Sequence, residues 1–165
     1  MMRRFALLAA LAAWFAAARA EPVVERDLAV PMRDGVVLRA DLYRPADTGR
    51  FPVLVYRTPY GKAQAAESYH THLRAVERGY AVLLQDVRGR YASEGRFDPY
   101  RQEGRDGHDT IQWAAAQDWS NGELGTFGLS YPGAVQWLAA LESPPALKAM
   151  APAMTYASPR RFFYT

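Results

Sequence analysis

Short apolar runs that do not alternate with polar residues are the feature that most restricts the fold of this chain. Four runs are present, and the first two are uninterrupted: 53–56, 80–84, 124–129 and 147–151. Strands without alternation are covered on both faces, as in parallel sheets. Helical apolar spacing occurs between the runs in three segments: 66–76, 106–117 and 134–141. Strands interleaved with helices predict βαβ units, and therefore a largely parallel sheet with helices on both faces.

The N-terminal part of the chain has a different pattern. Within residues 36–42, apolar side chains alternate with Arg39 and Asp41, which is typical of a half-exposed strand. Asp34-Gly35 precedes this segment and favours a tight hairpin, with residues 23–30 as the partner strand. We therefore predict an α/β fold whose mixed sheet starts antiparallel and continues parallel.

The first 20 residues are typical of a secretory signal peptide. Arg3 and Arg4 form a basic start, and the 14 residues 5–18 are all apolar and uncharged. Ala18-Arg19-Ala20 then supplies the small residues of a cleavage site. An uncleaved membrane anchor is the alternative, but about 20 residues are needed to span a bilayer. We expect cleavage before Glu21 and an exported mature protein, periplasmic or extracellular, with no membrane association.

The charge distribution argues against a nucleic-acid partner. The formal net charge is +3, but three of the 20 basic residues lie in the first 20 positions, and the rest of the chain carries 17 basic and 17 acidic residues. A nucleic-acid interface needs a basic patch in the folded domain. The chain has no cysteine, which excludes disulfides, thiolate metal sites and a cysteine nucleophile. No His/Asp/Glu cluster has metal-ligand spacing, so we expect neither metal nor cofactor.

A glycine-rich turn between the run 124–129 and the helical segment 134–141 is the strongest candidate for chemistry. Gly128, Ser130 and Gly133 form a Gly-x-Ser-x-x-Gly pattern. A phosphate-binding loop would need a lysine after Gly133, and a dinucleotide site would need a third glycine, so neither fits. The pattern predicts a nucleophile elbow, although Pro132 replaces the glycine of the stricter motif. An ordinary strand–helix turn, with Ser130 as the helix N-cap, is the alternative.

Two further loops leave predicted strands at the same edge of the sheet. The loop 56–62 carries Tyr60, and a second oxyanion donor is expected from such a loop. The loop 84–95 carries Asp86 and Arg88, which we interpret as a structural ion pair that braces the loop, with substrate contact as the alternative. We assign the three tryptophans that follow residue 20 to core packing rather than to a substrate cage; they are Trp113, Trp119 and Trp137.

These loops give the chain a resemblance to a known family. The motifs that carry it are, in chain order, Met32-Arg33-Asp34-Gly35-Val36, Asp41-Leu42-Tyr43-Arg44-Pro45, Arg57-Thr58-Pro59-Tyr60, Gln85-Asp86-Val87-Arg88-Gly89, Ser93-Glu94-Gly95, Asp109-Thr110-Ile111-Gln112-Trp113 and Gly128-Leu129-Ser130-Tyr131-Pro132-Gly133. Over nearly all of the mature chain, the sequence resembles the cocaine esterase, α-amino-acid ester hydrolase and Xaa-Pro dipeptidyl-peptidase group of α/β-hydrolases, whose elbow reads Gly-x-Ser-Tyr-x-Gly. The resemblance implies that Ser130 is the nucleophile. It also implies an oxyanion hole formed by the Tyr60 hydroxyl and the Tyr131 backbone N–H.

The other two members of a catalytic triad are not found in the chain. In α/β-hydrolases the order is Ser, then Asp or Glu, then His. Glu142 is the only acid after Ser130, and no histidine follows it. The three histidines precede Ser130, and we interpret them as helix-surface or loop residues; they are His70, His72 and His108. We therefore expect the base and its acid beyond Thr165, and residues 21–165 to be the N-terminal portion of a catalytic domain, incomplete at its C-terminus.

The predicted function is that of a serine hydrolase that cleaves an ester or amide acyl bond through an acyl-enzyme. The substrate would be a small-molecule ester, an amide or a short peptide. A Xaa-Pro dipeptidyl peptidase is the alternative within the class. The resemblance implies that a helical lid builds the acyl pocket, and we expect that lid, like the base, beyond Thr165. A non-catalytic binding scaffold with the same fold is the alternative from another class. The sequence predicts no oligomeric state.

Overall fold

The computed structural model describes residues 21–156 and 158. The predicted signal peptide, residues 1–20, therefore lies outside the described residues. The described residues form strands and helices in this order: β1 (Val23–Pro31), β2 (Val37–Arg44), β3 (Phe51–Thr58), α1 (Lys62–Ser68), α2 (Thr71–Val76), β4 (Ala81–Asp86), α3 (Glu103–Ala115), β5 (Ser120–Leu129), α4 (Tyr131–Leu141) and β6 (Leu147–Ala153).

The strands form one sheet in the order β1-β2-β4-β3-β5-β6. The β1–β2 and β2–β4 pairs are antiparallel, whereas β4–β3, β3–β5 and β5–β6 are parallel. The predicted mixed sheet with an antiparallel start is therefore confirmed. The hairpin between β1 and β2 also forms at Asp34-Gly35, where Gly35 has a φ of 85° and donates its N–H to the Met32 carbonyl at 3.0 Å. The parallel strands bring the ends of β3, β4 and β5 to one edge of the sheet.

The burial of strand β4 on both faces accounts for the continuous apolar run 80–84. All of its residues are buried, and the first four alternate between two hydrophobic clusters. Ala81 and Leu83 belong to the cluster that includes side chains of α3 and α4, whereas Val82 and Leu84 belong to the cluster that includes side chains of α1 and α2. The helices thus cover both faces of the sheet, as predicted, and each face buries every second residue of the strand.

The predicted helix 66–76 is interrupted in the structure. Tyr69 has an extended backbone (φ −126°, ψ 105°) and separates α1 from α2. In a continuous helix the Tyr69 carbonyl would accept the N–H of Leu73, but it lies 2.7 Å from Nδ1 of His72 instead. The prediction that His72 lies on the surface is wrong, because its ring is buried edge-on against Tyr43, with centroids 4.7 Å apart. This burial lowers the pKa of His72.

Two of the three tryptophans that were assigned to the core pack against it as expected. Trp113 and Trp119 contact each other edge to face at 6.2 Å and lie against the larger hydrophobic cluster. Trp137 contradicts the prediction, because its side chain is 40% exposed. Its helix buries its first two turns and then Ala139, so the buried stripe does not include position 137.

Among the described residues, no helix has the length and apolar character needed to cross a membrane.

Candidate active site

Ser130 connects β5 to α4 in a sharp turn. Its backbone has a φ of 61° and a ψ of −123°, a conformation that residues other than glycine rarely adopt. The Ser130 N–H donates to the Ala153 carbonyl of β6 at 3.0 Å, and its own carbonyl accepts the N–H of Ala134 at 2.9 Å. The Ser130 side chain is exposed and makes no capping hydrogen bond. This geometry is that of an elbow and not that of the N-cap alternative, in which the hydroxyl would bind the first turn.

The two glycines of the motif are required by close contacts around this turn. Gly128 has a φ of +145°, and a Cβ there would lie 2.5 Å from the Pro132 Cβ. A Cβ on Gly133 would lie 2.8 Å from the Ala153 carbonyl oxygen. Non-bonded separations below 3.0 Å are almost never found for real Cβ atoms, so a side chain at either position would force its neighbours to move. Small residues at both positions therefore allow Ser130 to be held between β5, β6 and α4.

The structure brings Tyr60 and Tyr131 to the same edge of the sheet as Ser130. Tyr60 follows β3, the strand next to β5, and its side chain is 54% exposed. Tyr131 is the first residue of α4, so its backbone N–H has no acceptor within the helix. The Tyr131 ring is buried, and its hydroxyl donates to Glu103 Oε1 at 2.8 Å. Burial, and then the charge of Glu103, raise the pKa of Tyr131 far above its ordinary value.

A buried polar network lies behind the elbow and was not predicted from the sequence. Arg57 Nη2 is 2.9 Å from Glu103 Oε2, and both side chains are buried. Arg57 also donates from Nη1 to the Glu103 backbone carbonyl and from Nε to Gln85 Oε1. The Gln85 oxygen accepts a further hydrogen bond from Thr110 Oγ1 at 3.0 Å. A charged residue directly after a buried apolar strand segment was the only sequence signal for this network.

The expected ion pair between Asp86 and Arg88 does not form. Arg88 pairs instead with Asp106, at 2.6 Å, and with Asp34, at 2.8 Å. Asp86 accepts the backbone N–H of Lys62 at 2.7 Å, and burial raises its pKa. Asp86 ends β4 and faces the first turn of α1, whereas Arg88 lies past the strand and reaches α3. Both side chains are buried, so their contacts brace the loop as expected, but with other partners.

The other two histidines, His70 and His108, are at least partly exposed. His108 Nδ1 lies 3.1 Å from an Arg33 guanidinium nitrogen and 3.3 Å from the Asp109 carboxylate. His70 is exposed before α2. Within residues 21–156, no group of three or more His, Asp or Glu side chains is arranged to hold a metal ion.

The sequence also did not predict two aromatic residues that lie near Tyr131. Tyr100 stacks on the Tyr131 ring with centroids 4.5 Å apart, and Tyr156 contacts the Tyr100 ring edge-on at 5.9 Å. Burial and the neighbouring Tyr100 raise the pKa of Tyr156 to about 12. Tyr100 itself has a positive φ of 66°. Both residues lie outside helices and strands, where no periodic pattern could have predicted their positions.

Comparisons with known proteins agree with this fold. Residues 34–165 match the family model described as X-Pro dipeptidyl-peptidase (S15 family). The chain is 46% identical over 138 residues to the cocaine esterase of Rhodococcus sp. (strain MB1 Bresler), a match that covers 81% of this chain. Among solved structures, it is similar to an α-amino acid ester hydrolase, with a TM-score of 0.76 and 31% identity over 86% of this chain. It is also similar to a CocE/NonD family hydrolase from Staphylococcus aureus, with a TM-score of 0.72 and 35% identity over 79% of this chain.

The chain is much shorter than these relatives. It spans 24% of the cocaine esterase, 27% of the α-amino acid ester hydrolase and 27% of the Staphylococcus hydrolase. The family match nevertheless includes both Tyr60 and the elbow. The mixed sheet, the elbow geometry and these matches together show that the chain belongs to the X-Pro dipeptidyl-peptidase (S15) family.

Proposed function

We propose that the protein containing this chain is a serine hydrolase that cleaves an ester or amide acyl bond through an acyl-enzyme on Ser130. The observation that carries the proposal is the exposed Ser130 hydroxyl, which is held in a strained turn and is not used to cap α4. Family membership and relatives named for ester hydrolysis support it. No cofactor is part of the proposal.

In the proposed reaction, Ser130 Oγ bonds to the acyl carbon and its proton passes to a histidine. The Tyr60 hydroxyl and the Tyr131 N–H donate hydrogen bonds to the oxyanion that forms. The bond to the leaving group then breaks, and the histidine returns the proton to that group. Water hydrolyses the acyl-enzyme and regenerates Ser130. Since no histidine follows Ser130 in the chain, the base and its acid are proposed to lie beyond Thr165.

The proposed role of Tyr60 predicts the effect of removing one hydroxyl. Tyr60→Phe keeps the ring but loses the donor, so we expect kcat to fall about 100- to 1,000-fold with little change in KM. Steady-state kinetics of the full-length protein with a p-nitrophenyl ester measure this. Tyr80→Phe is the matched control, because Tyr80 is also exposed but precedes β4, at the opposite edge of the sheet. An unchanged kcat in folded Tyr60→Phe would mean that the hydroxyl does not contact the oxyanion.

The proposed substrates are esters, and the second candidate activity is that of an Xaa-Pro dipeptidyl peptidase. The matching family is described as X-Pro dipeptidyl-peptidase, whereas two relatives are named for ester hydrolysis. We expect turnover of p-nitrophenyl esters and no turnover of glycyl-prolyl p-nitroanilide. The matched control is glycyl-alanyl p-nitroanilide, which has the same leaving group without proline. Cleavage of the prolyl anilide and not of the alanyl anilide would favour the peptidase.

The proposal includes export with removal of residues 1–20. Two early arginines, an uncharged apolar segment and the small residues Ala18 and Ala20 support it. Mass spectrometry of the exported protein is expected to find Glu21 at the N-terminus. Ala20→Phe places a bulky residue at the cleavage site, so this variant should keep its first 20 residues. An exported wild-type protein that still begins at residue 1 would contradict the assignment.

A further inference from the structure

The loop that carries Tyr60 is held by the loop that follows β4. We call residues 59–62 the Tyr60 loop and residues 87–95 the Arg90 loop. Arg90 Nε donates to the Pro59 carbonyl at 2.9 Å. On the other side of Tyr60, the Tyr91 ring covers Gly61 so closely that a Cβ there would lie 3.1 Å from the ring. The Arg90 loop therefore contacts the residues immediately before and immediately after Tyr60.

The Arg90 contact acts on the peptide bond that joins Pro59 to Tyr60. Its carbonyl oxygen accepts from Arg90, and its N–H donates to Thr58 Oγ1 at 3.1 Å. Because both polar atoms of this peptide are bound, the peptide plane is fixed. The plane sets the direction in which the Tyr60 Cα–Cβ bond leaves the backbone. The Tyr60 side chain itself is 54% exposed, so neighbouring side chains enclose only part of it and its backbone attachment helps to set its position.

Two aromatic rings and a backbone hydrogen bond hold Arg90 in place. Its guanidinium carbon lies 5.4 Å from the Tyr91 ring centroid and 5.3 Å from that of Phe97, within the range of cation–π contacts. The Arg90 N–H donates to the Val87 carbonyl at 3.1 Å. Among the described residues, Arg88 pairs with two carboxylates, whereas Arg90 pairs with none. The Arg90 guanidinium is therefore directed at the Pro59 carbonyl and the two rings rather than at an acid.

From these contacts we infer that Arg90 is a positioning residue, which orients the Pro59–Tyr60 peptide so that the Tyr60 hydroxyl reaches the oxyanion. The inference rests on the proposed role of Tyr60. A hydrogen bond from a charged donor holds a carbonyl more firmly than one from a neutral donor. A displacement of about 1 Å in a catalytic group can cost on the order of 100-fold in rate.

The test compares Arg90 variants in two backgrounds of the full-length protein. Arg90→Ala is expected to lower kcat on a p-nitrophenyl ester about 10- to 100-fold with little change in KM. In the Tyr60→Phe background the same substitution should have little further effect, because the hydroxyl that Arg90 positions is already absent. Arg90→Lys should recover part of the lost kcat, since its ammonium group can also donate to a carbonyl. Arg96→Ala is the matched control, because the Arg96 side chain is 89% exposed and its pair with Asp98 spans 3.7 Å.

Three outcomes would overturn the inference. A wild-type kcat in folded Arg90→Ala would show that Tyr60 is positioned without Arg90. If the alanine variant does not fold, Arg90→Met, which keeps an unbranched side chain but loses every donor to the Pro59 carbonyl, gives the same answer. The second outcome is that Arg90→Ala lowers kcat by the same factor in the wild-type and Tyr60→Phe backgrounds while Tyr60→Phe alone is slow. That result would show that Arg90 has a general structural role, and it would leave the proposed function intact. A wild-type kcat in Tyr60→Phe would remove the role of Tyr60 and the inference with it. Thermal unfolding of each variant monitors folding.

Discussion

Ser130→Ala is expected to eliminate turnover of ester substrates by the full-length protein. Removal of the serine from a catalytic triad typically lowers kcat about a million-fold, and the remaining rate comes from binding and the oxyanion hole. The fold should be little affected, because the Ser130 side chain is exposed and makes no capping hydrogen bond. Steady-state kinetics measure the loss, and thermal unfolding measures the stability.

Ser143 provides a matched control for this substitution. It follows α4 at the opposite end from Ser130, is exposed, and also has a positive φ, 52° against 61° for Ser130. Ser143→Ala therefore replaces an exposed serine that also has a positive φ, but it leaves the elbow unchanged. We expect kcat to stay at the wild-type value. If folded Ser130→Ala retained wild-type turnover, Ser130 would not be the nucleophile.

Glu103→Gln is expected to lower the free energy of unfolding by about 3–5 kcal/mol, because it leaves the Arg57 charge buried without its partner. The two side chains are 5% and 4% exposed and lie 2.9 Å apart. The glutamine has nearly the same size as the glutamate, so the loss arises from the charge and not from a cavity. Denaturation by urea, with the midpoint compared at constant slope, measures the change.

Asp98→Asn is the control for an exposed pair. Asp98 lies 3.7 Å from Arg96, and the side chains of Arg96 and Asp98 are 89% and 44% exposed. Exposed pairs contribute about 0–1 kcal/mol, so this variant should unfold near the wild-type midpoint. A loss in Glu103→Gln no larger than that in Asp98→Asn would show that the Arg57–Glu103 pair does not stabilise the fold.

The sequence predicted those features that depend on local pattern. The apolar run 80–84 predicted a strand covered on both faces, and β4 confirms this by alternating between two clusters. Asp34-Gly35 predicted the hairpin because that turn needs positive φ, which Gly35 adopts. The spacing of Gly128, Ser130 and Gly133 predicted a crowded turn, and the contacts of both glycines supply its physical reason.

The features that were missed depend on contacts between distant parts of the chain. Glu103 is 46 positions from Arg57, and no local pattern relates the two. Arg88 was paired with the nearest acid in sequence, Asp86, although its partners are contributed by α3 and the β1–β2 turn. Trp137 was assigned to an apolar stripe of α4, but tertiary packing buries a different side of that helix. These errors share one cause, which is that burial is decided by the neighbours in the fold.

Labelling with a fluorophosphonate probe tests the central proposal most directly, because the probe reacts covalently with activated serine nucleophiles. We expect the full-length protein to take up one probe per chain and the adduct to lie on the peptide that contains Ser130. The Ser130→Ala variant should take up none, whereas Ser143→Ala should label like the wild type. Absence of labelling in the wild-type protein would favour the non-catalytic scaffold. Labelling of Ser130→Ala at the wild-type level would contradict the assignment of Ser130 as the nucleophile.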